Sequence, residues 1–424
     1  MSGFRTVEPA LGPIDASIRP PGSKSHTIRA LVVSALADGD SLLRAPLDAD
    51  DTRAALGALG HFGVDIAAAG DSWRVTGSGG ALEAPSGPVD AGASGLTARS
   101  VIALASLIHG TTTVVGRDRL PERPMSGLVD ALNALGVQTS SVDGHLPVTV
   151  DGGALPGGLV TVASHQTSQF ASALLLVAPL AREEMVVIPQ GLEGSRRYLE
   201  LTISMMEEFG AVVEQVEAGY RVEPGGYRGT DVAIEPDASA AVYPMVAAAI
   251  TGGRVTIEGL GAESLQPDLA VAGVLEQMGC ALTQTGNATT VAATTDGLRP
   301  IEIDLSGSPD GSLAVAVAAL FADGPSRLRG LGSLRHKESD RLASLAAEIT
   351  RLGADATVVG DELIIVPGVL HPARVQTYGD HRVAMSFALV GLCVAGIEIA
   401  DPEVVAKTWP SFWDMLSGIS QTIA

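Results

Sequence analysis

Six stretches of the chain are apolar at nearly every position, and each leads through a short turn into a strand-like run. Ala, Val and Leu dominate these stretches, as in "RALVVSALADGDSLLRAP". A helix that is apolar all round is predicted to be buried, and a fixed period indicates a repeated supersecondary unit. The turns are spaced by 71 or 72 residues, at Gly39, Gly110, Arg182, Gly253, Gly324 and Gly396.

A second pattern repeats out of phase with the first. A helical segment that carries charges ends at a glycine and continues into a strand; the glycines are Gly63, Gly136, Gly210, Gly279 and Gly353. Glycine directly after the last turn is typical of a helix C-cap. Each repeat is therefore predicted to contain one buried helix, one helix with a solvent-exposed face and several short strands.

The length of 424 residues exceeds what one hydrophobic core usually serves. Six units then predict two domains of three units each. The turn-rich segments 19–23 and 223–237 are the candidate crossings between them. We expect one discontinuous domain of residues 1–22 plus 236–424, and a second domain of residues 23–235.

The chain is acidic, with a formal net charge of −21. This disfavours a nucleic-acid or anionic-membrane partner, because both bind basic surfaces. The N-terminus has no basic segment followed by an apolar run, so no signal peptide is expected. The longest apolar run, 383–400, is interrupted by Gly391, Gly396 and Glu398, and predicts a buried helix and strand. We expect a soluble cytoplasmic protein.

The two cysteines, Cys280 and Cys393, lie in apolar stretches and are predicted to be small buried thiols. Their spacing fits no metal site and no disulfide framework.

Polar residues cluster where each buried helix begins. A strand, a small-residue turn and a helix N-terminus together form a favourable anion site. Ordinary N-capping is the alternative, and it explains Asp237 and Ser239 well. It does not explain the residues that make poor caps, which are Lys24, Arg29, Gln169, His381 and Arg382.

Lysine occurs only at Lys24, Lys337 and Lys407, and every other basic residue is Arg. A Lys kept against this bias indicates a position that needs a compact ammonium able to transfer a proton. Three surface lysines placed by chance are the alternative.

The stretch "LRHKESDRLASLAAEI" predicts an amphipathic helix that starts at Asp340 and Arg341. Leu342, Leu345 and Ile349 fall on its core side. Glu338 lies between two cations in sequence, which suits a carboxylate poised for proton transfer. Charge pairing at a helix start explains it as well.

These residues together resemble the family of 5-enolpyruvylshikimate-3-phosphate synthases, from about Ile14 to Phe412. The matching segments share their order and spacing with that family. They are "PGSKS" with Arg29, "ERP" at 122–124, "TSQF" at 167–170, "SRRY" at 195–198, "PD" at 309–310, "KESDR" at 337–341, "YGDHRVAMSFAL" at 378–389 and "AKTWP" at 406–410.

The resemblance implies an α/β fold of two domains, each with three βαβαββ repeats, which is the inside-out α/β barrel of the enolpyruvyl transferases. The active site is expected in the cleft between the domains. The implied reaction transfers the enolpyruvyl group of phosphoenolpyruvate to the 5-hydroxyl of shikimate 3-phosphate and releases phosphate, in aromatic amino acid biosynthesis. No metal or organic cofactor is implied, and the family is commonly monomeric.

The resemblance also assigns site residues. Asp310 is expected to accept the proton of the 5-hydroxyl, and Glu338 to donate one to the methylene carbon, a role that Lys24 could share. His381 has a supporting role. The expected contacts of shikimate 3-phosphate are Lys24, Ser25, Arg29, Thr167, Ser168, Gln169, Ser195, Tyr198, Asp310 and Lys337. Those of phosphoenolpyruvate are Lys24, Gly95, Arg123, Gln169, Arg341, Arg382 and Lys407.

Two departures from the family pattern leave details open. Where many relatives read Gly-Asn-Ala-Gly-Thr-Ala, this chain has Ala93 for the Asn and Leu96 for the Thr. Local contacts to phosphoenolpyruvate, and the response to the family inhibitor glyphosate, are therefore open. Ser333 stands where many relatives have Asn, so its contact is not carried over.

Two rival interpretations have different weaknesses. The sister enzyme that acts on UDP-N-acetylglucosamine usually carries a Cys in the domain of the first three buried helices, and residues up to 235 contain none. A non-catalytic repeat scaffold would explain the period. It gives no reason to keep Asp310, Glu338 and the three lysines together.

Overall fold

The computed structural model describes residues 3–191 and 196–421. The chain divides into two compact units. We call residues 22–235 the central unit, and the residues before 22 together with those from 236 onward the terminal unit. The chain passes between them at 21–22 and at 235–236, inside the two turn-rich segments noted above.

The helices and strands alternate along the chain in short elements. The α-helices are α1 (Lys24–Leu36), α2 (Asp50–Gly60), α3 (Gly95–Ala105), α4 (Ser126–Ala134), α5 (Gln169–Val177), α6 (Arg197–Glu208), α7 (Ala238–Thr251), α8 (Val271–Gln277), α9 (Ser312–Ala319), α10 (Arg341–Leu352), α11 (His381–Ala388) and α12 (Phe412–Ser420). Short 3-10 helices cover Leu120–Glu122, Ala178–Leu180, Pro267–Ala270, Gly332–His336, Leu389–Leu392 and Pro402–Lys407.

The strands are short, as expected of repeated units of this length. They are β1 (Phe4–Val7), β2 (Asp15–Ile18), β3 (Ala37–Asp38), β4 (Asp40–Arg44), β5 (Asp65–Ala69), β6 (Ser72–Thr76), β7 (Val89–Asp90), β8 (Gly110–Val115), β9 (Gln138–Val142), β10 (His145–Gly152), β11 (Gly158–Ala163), β12 (Met185–Gln190), β13 (Val213–Val216), β14 (Gly219–Val222), β15 (Tyr227–Arg228), β16 (Asp231–Ala233), β17 (Arg254–Glu258), β18 (Ala281–Gln284), β19 (Ala288–Ala292), β20 (Glu302–Asp304), β21 (Ser326–Arg329), β22 (Asp355–Val359), β23 (Glu362–Val366), β24 (Arg374–Val375) and β25 (Ile397–Ala400).

The central unit repeats one sheet pattern three times. Its four-stranded sheets have the orders β16-β4-β6-β5, β7-β8-β10-β9 and β11-β12-β14-β13. In each, the first two strands pair in parallel and the remaining pairs are antiparallel. The last strand of the unit, β16, pairs with β4 near its beginning, so the first sheet is completed only when the chain returns.

The terminal unit follows the same rule twice and then departs from it. The sheets β2-β17-β19-β18 and β20-β21-β23-β22 have four strands, and β2 comes from the chain start. The third sheet has three strands in the order β1-β25-β24. After β25 the chain enters a 3-10 helix and then α12 instead of a strand pair, and β1 pairs along β25. The two-domain α/β fold is confirmed, but the sixth repeat is shorter than predicted.

Each unit has its own hydrophobic core, built around three helices. The apolar helices α1, α3 and α5 lie in the core of the central unit, and α7, α9 and α11 lie in that of the terminal unit. The helices that alternate with them along the chain keep one solvent-exposed face, as the charge pattern predicted. In α10, Leu342, Leu345 and Ile349 are buried, while Arg351 is exposed.

The predicted helix ends are confirmed. The five glycines named as C-caps all have a positive φ, between 77° and 110°. Glycine adopts this conformation without the Cβ clash that penalises other residues. One of the two cysteine predictions was wrong. Cys280 is buried, but Cys393 is exposed because it follows the 3-10 helix Leu389–Leu392, where the chain turns toward β25.

No helix among the described residues combines the length and the apolar character needed to span a lipid bilayer. The apolar run 383–400 is divided between α11, a 3-10 turn and β25, as predicted.

Strand ends approach the buried helices so closely that only glycine fits. A Cβ on Gly152, at the end of β10, would lie 2.0 Å from the carbonyl oxygen of Ala105 in α3. The first repeat shows the same contact, where a Cβ on Gly77 would lie 2.2 Å from the carbonyl oxygen of Ala37, just after α1. The contact is therefore part of how the repeat packs.

We expect Gly152→Ala to lower the free energy of unfolding by about 3 kcal/mol, because backbone must move to admit the methyl group. Urea unfolding followed by circular dichroism measures the change. Gly57→Ala is the matched control. Its Cβ would meet nothing within 4 Å inside α2, so it should be neutral or stabilising by up to about 1 kcal/mol. Equal stability of both variants would contradict the packing argument.

Candidate active site

Lys24 opens the first buried helix and pairs with a buried carboxylate. It is the first residue of α1, after the N-cap Ser23. Its Nζ lies 3.3 Å from Oδ2 of Asp51, whose side chain is only 3% exposed. Asp51 comes from the first turn of α2. Helix α1 and helix α2 thus place a cation at a helix N-terminus, where an anion also binds favourably.

Arg29 ties the start of α1 to the start of α6. Its Nε donates to Thr202 Oγ1 at 2.8 Å, Nη1 to the carbonyl of Ser25 at 3.1 Å and Nη2 to the carbonyl of Tyr198 at 3.4 Å. Burial lowers its pKa to about 10, so it stays a cation at neutral pH. Thr202 also donates to Ser172 in α5. Arg29 therefore orders the segment around Ser25 and Tyr198 from within the core.

Two arginines converge on the start of α3. A Cβ on Gly95 would lie 2.6 Å from Nη1 of Arg99 and 2.8 Å from Cζ of Arg123. Arg99 is buried, and its Nη2 donates to the carbonyl of Pro124 at 2.9 Å, beside Arg123. Gly95 thus lets two guanidinium groups approach the helix N-terminus, where free backbone N–H groups also favour an anion.

Arg99 also orients Gln169. The Oε1 atom of Gln169, the first residue of α5, accepts from Arg99 Nη1 at 2.6 Å. Thr167 Oγ1 accepts from the Gln169 backbone N–H at 3.2 Å, and Ser168 is buried. Ser195 lies outside the described residues. The central unit therefore brings cations and polar groups to the starts of α1, α3 and α5.

In the terminal unit, Asp310 lies among three cations just before α9. Its Oδ1 is 3.3 Å from Lys337 Nζ and 2.8 Å from Arg341 Nη1, and its Oδ2 is 3.0 Å from Arg382 Nη2. Burial opposes ionisation, but the three cations outweigh it and hold the pKa of this carboxyl well below its usual range. Asp310 is thus ionised at neutral pH.

Arg341 joins three carboxylates. Besides Asp310, it donates from Nη2 to Glu338 Oε2 at 2.7 Å and from Nε to Asp380 Oδ2 at 2.7 Å. Its side chain is 1% exposed. Burial alone would lower its pKa, yet the three carboxylates together raise it above the usual value. One carboxylate three positions from Arg341 and two that are 31 and 39 positions away therefore share one cation.

The segment "YGDHR" begins α11 and is held at both sides. Asp380 accepts from the Arg382 backbone N–H at 2.9 Å as an N-cap, and from Ser339 Oγ at 3.0 Å. His381 is fully buried, with Nδ1 3.6 Å from Asp380 Oδ1. Arg382 Nη1 lies 3.4 Å from the hydroxyl of Tyr243, whose pKa burial raises to about 12. Tyr243 thus acts as a neutral partner.

Two further positions named in the sequence analysis lie on short helices. Lys407 ends the 3-10 helix Pro402–Lys407 and is 9% exposed. Ser333 lies in the 3-10 helix Gly332–His336 and is partly buried. Asp310, Lys337, Glu338, Arg341 and Arg382 are brought into direct contact in the terminal unit.

The sequence analysis missed several residues that hold these groups in place. Asp51 carries no distinguishing signal, since acidic residues are common in the first turn of a helix. Arg99 did carry a signal, since it is a lone charge in an otherwise apolar helix. Glu348 carried one too, because its spacing from Leu345 places it on the core side of α10. It is fully buried and accepts from the Tyr378 hydroxyl at 2.6 Å.

One capping interpretation was wrong. Asp237 does cap α7, accepting from the Ala240 backbone N–H at 2.9 Å. Ser239, however, is already inside the helix, and its hydroxyl donates to Asp268 from a distant segment. Sequence position alone could not show this, because Asp268 is 29 residues away.

Known proteins resemble the chain along almost all of its length. The family model described as EPSP synthase (3-phosphoshikimate 1-carboxyvinyltransferase) matches residues 10–416. A 3-phosphoshikimate 1-carboxyvinyltransferase from Methanosphaerula palustris is 39% identical over 412 residues, covering 96% of this chain and 97% of that protein. One from Syntrophobacter fumaroxidans is 40% identical over 416 residues, covering 97% and 98%.

The fold also has solved counterparts. The structure of EPSP synthase from Acinetobacter baumannii superposes with a TM-score of 0.83 at 28% sequence identity. The match covers 99% of this chain and 98% of that one.

His26, in the first turn of α1, is expected to make the free energy of unfolding depend on pH. Burial, and secondarily the charge of Arg29, lower the pKa of His26 to about 3. An unfolded His titrates near 6.5, so between about pH 6.5 and pH 3 the unfolded state takes up a proton that the native state does not. Stability therefore falls as pH falls through this window, by up to about 1.4 kcal/mol per pH unit from this group.

We expect His26→Gln to flatten the pH dependence of the unfolding free energy between pH 7 and pH 5, measured by urea titration. His61→Gln, at an exposed position after α2, is the control and should keep the wild-type slope. Identical slopes for His26→Gln and the wild type would contradict the burial argument.

Proposed function

The chain belongs to the EPSP synthase family, and from this premise we propose that it transfers the enolpyruvyl group of phosphoenolpyruvate to the 5-hydroxyl of shikimate 3-phosphate. The hydroxyl oxygen bonds to the carbon that carries the phosphate, and a proton adds to the methylene carbon. The bond to the phosphate oxygen then breaks, and the methyl group loses a proton, which restores the double bond.

The observation that carries the proposal is the arrangement around Asp310. An ionised carboxylate lies within 3.3 Å of one lysine and two arginines in a partly buried position. A carboxylate in this state can accept the proton of the 5-hydroxyl. The cations around it suit substrates that carry phosphate and carboxylate groups.

The same cations link substrate binding to the strength of the base. Lys337, Arg341 and Arg382 are the groups assigned to the substrates, and they also hold the pKa of Asp310 down. An anion that pairs with them shares their positive charge. The pKa of Asp310 then rises, which makes it a better proton acceptor at neutral pH.

Glu338 is assigned as proton donor to the methylene carbon. Its support is its position, since its carboxylate pairs with Arg341, the same residue that pairs with Asp310. Asp310 and Glu338, which both pair with the guanidinium of Arg341, are thus assigned to opposite roles: Asp310 accepts a proton and Glu338 donates one. Lys24 is the second candidate for the donor role.

In the central unit, we assign the helix starts to anion binding. Lys24, Gly95, Arg123 and Gln169 are assigned to phosphoenolpyruvate, along with Arg341, Arg382 and Lys407 from the terminal unit. The residues assigned to shikimate 3-phosphate are Ser25, Thr167, Ser168, Ser195, Tyr198 and Lys337, together with Lys24, Gln169 and Asp310. Arg29 is assigned there too, and the bond from its Nη1 to the Ser25 carbonyl supports an orienting role.

We further propose that the protein works as a monomer in the cytoplasm. The family resemblance supports the monomer. Sedimentation equilibrium of the purified protein at micromolar concentration tests it.

We expect the purified protein to release inorganic phosphate only when both substrates are present. Asp310→Asn should lower kcat by about 10²- to 10⁴-fold, because the proton acceptor is lost. Asp304→Asn, an exposed Asp six positions upstream whose Oδ1 accepts from the Ser306 backbone N–H, is the control and should keep kcat within about twofold. A correctly folded wild type that releases no phosphate would end the proposal.

Lys24→Arg tests the need for a compact ammonium. Arg is far too weak an acid to donate a proton, and its longer, planar guanidinium would move the charge away from the position of Lys24 Nζ, 3.3 Å from the buried carboxylate of Asp51. We expect kcat to fall at least about tenfold, measured by phosphate release. Arg53→Lys, at an exposed pair with Asp48, should have no effect. Near-normal turnover of Lys24→Arg would contradict the argument.

A further inference from the structure

Asp268 is a buried carboxylate that has no role in the mechanism above. It lies in the 3-10 helix Pro267–Ala270 and is 1% exposed. Its Oδ1 accepts from the backbone N–H of Gly311 at 3.1 Å, and its Oδ2 accepts from the hydroxyl of Ser239. A carboxylate is costly to bury and needs compensating donors. Both of its oxygens have one.

One of these two donors, Gly311, lies next to a residue of the site. Gly311 directly follows Asp310 and is the N-cap residue of α9. On the other side, the Ser308 hydroxyl donates to the carbonyl of Pro267 at 2.8 Å. The neighbours Pro267 and Asp268 thus hold the turn both before and after Asp310.

The space at this turn is tight. A Cβ on Gly311 would lie 2.6 Å from Cγ2 of Val271 and 3.4 Å from Oδ1 of Asp268. The backbone of the turn therefore rests directly on the segment that carries Asp268. A shift of the carboxylate would be transmitted to the residue next to Asp310.

The same segment also holds the start of α7. Gln266 Oε1 accepts from the Ala238 backbone N–H at 3.0 Å, and its Nε2 donates to the carbonyl of Pro236 at 2.7 Å. Segment 266–268 therefore joins the first turns of two buried helices. Helix N-termini leave unpaired N–H groups that need an acceptor, and a negative charge there is favourable.

The charged groups around Asp268 require its carboxylate to keep a fixed position. Burial, and then the negative charge of Asp310, raise its pKa, whereas Arg382 and the two donated hydrogen bonds lower it. The two carboxylates repel each other, and Arg382, which pairs with Asp310 at 3.0 Å, offsets part of this repulsion. The hydrogen bonds at Gly311 and Ser239 keep those carboxylates in a defined arrangement.

We propose that Asp268 is a positioning residue for Asp310, which acts by holding the Gly311 backbone N–H at the start of α9. The inference deepens the proposed function and rests on the role assigned there to Asp310. Its carboxylate touches no reacting atom. Losing the bond would let the turn move, and a misplacement of about 1 Å is enough to cost about 10²-fold in rate.

Two variants of Asp268 and one control separate the effect of its hydrogen bonds from the effect of its charge. Asp268→Ala removes both hydrogen bonds, and we expect kcat for phosphate release to fall about 100-fold. Asp268→Asn keeps an acceptor for Gly311 and removes the charge, so it should stay within about threefold of wild type. Asp304→Asn serves again as the control with unchanged kcat.

Two further readouts distinguish positioning from a general loss of structure. Isothermal titration of Asp268→Ala with shikimate 3-phosphate should give a Kd within about threefold of wild type, because the other groups assigned to this substrate stay in place and only Asp310 is displaced. Hydrogen exchange should be faster in the peptide that contains Gly311, and unchanged in the peptide that covers α10.

The outcomes separate this inference from the proposed function. An active wild type with an equally active Asp268→Ala overturns the positioning role, and so does an Asp268→Asn that loses as much kcat as Asp268→Ala. Unchanged exchange at Gly311 also overturns it. A wild type that releases no phosphate, but whose Asp268→Ala variant exchanges faster at Gly311, overturns the proposed function and leaves the hydrogen-bonding role intact.

Discussion

The structure depends on one constraint, which is that a helix buried on all sides can present polar groups only at its ends. Six such helices form the cores of the two units. Their first backbone N–H groups have no partner within the helix and need acceptors. Side chains cap α1, α3, α7 and α11 at these points. The capping side chains and several of the cations are therefore found at helix starts, where N–H groups without a partner in the helix need acceptors.

Buried charge is the second constraint on the structure, and it follows from the first. Arg341 and Asp380 are both almost fully buried and pair at 2.7 Å. Removing either partner of such a pair leaves an uncompensated charge in the core, which is strongly destabilising. Lys337, Arg382, Glu338 and Asp310 extend the pair toward solvent. The site thus gains an ionised carboxylate and several cations without any of them being isolated in the interior.

The repeats show where the chain departs from strict periodicity. In both units the first sheet is completed by a strand from another part of the chain, β16 in the central unit and β2 in the terminal unit. The sixth repeat has only three strands, because the chain after β25 forms the 3-10 helix that carries Lys407. The deviation from the repeat therefore falls where a residue assigned to the substrate is located.

The sequence by itself determined the six-fold period, the buried helices, the glycine helix ends and the family, because these depend on local pattern and on motifs read in order. It also pointed to Asp310, Glu338 and Arg341 as candidates. Only the tertiary structure decided which side chains hold them. Asp51 on Lys24, Arg99 on Gln169 and Asp268 on Gly311 are contacts between segments that are 27, 70 and 43 residues apart. Such pairs leave no periodic trace, since they arise when separate buried helices bring their polar ends together in three dimensions.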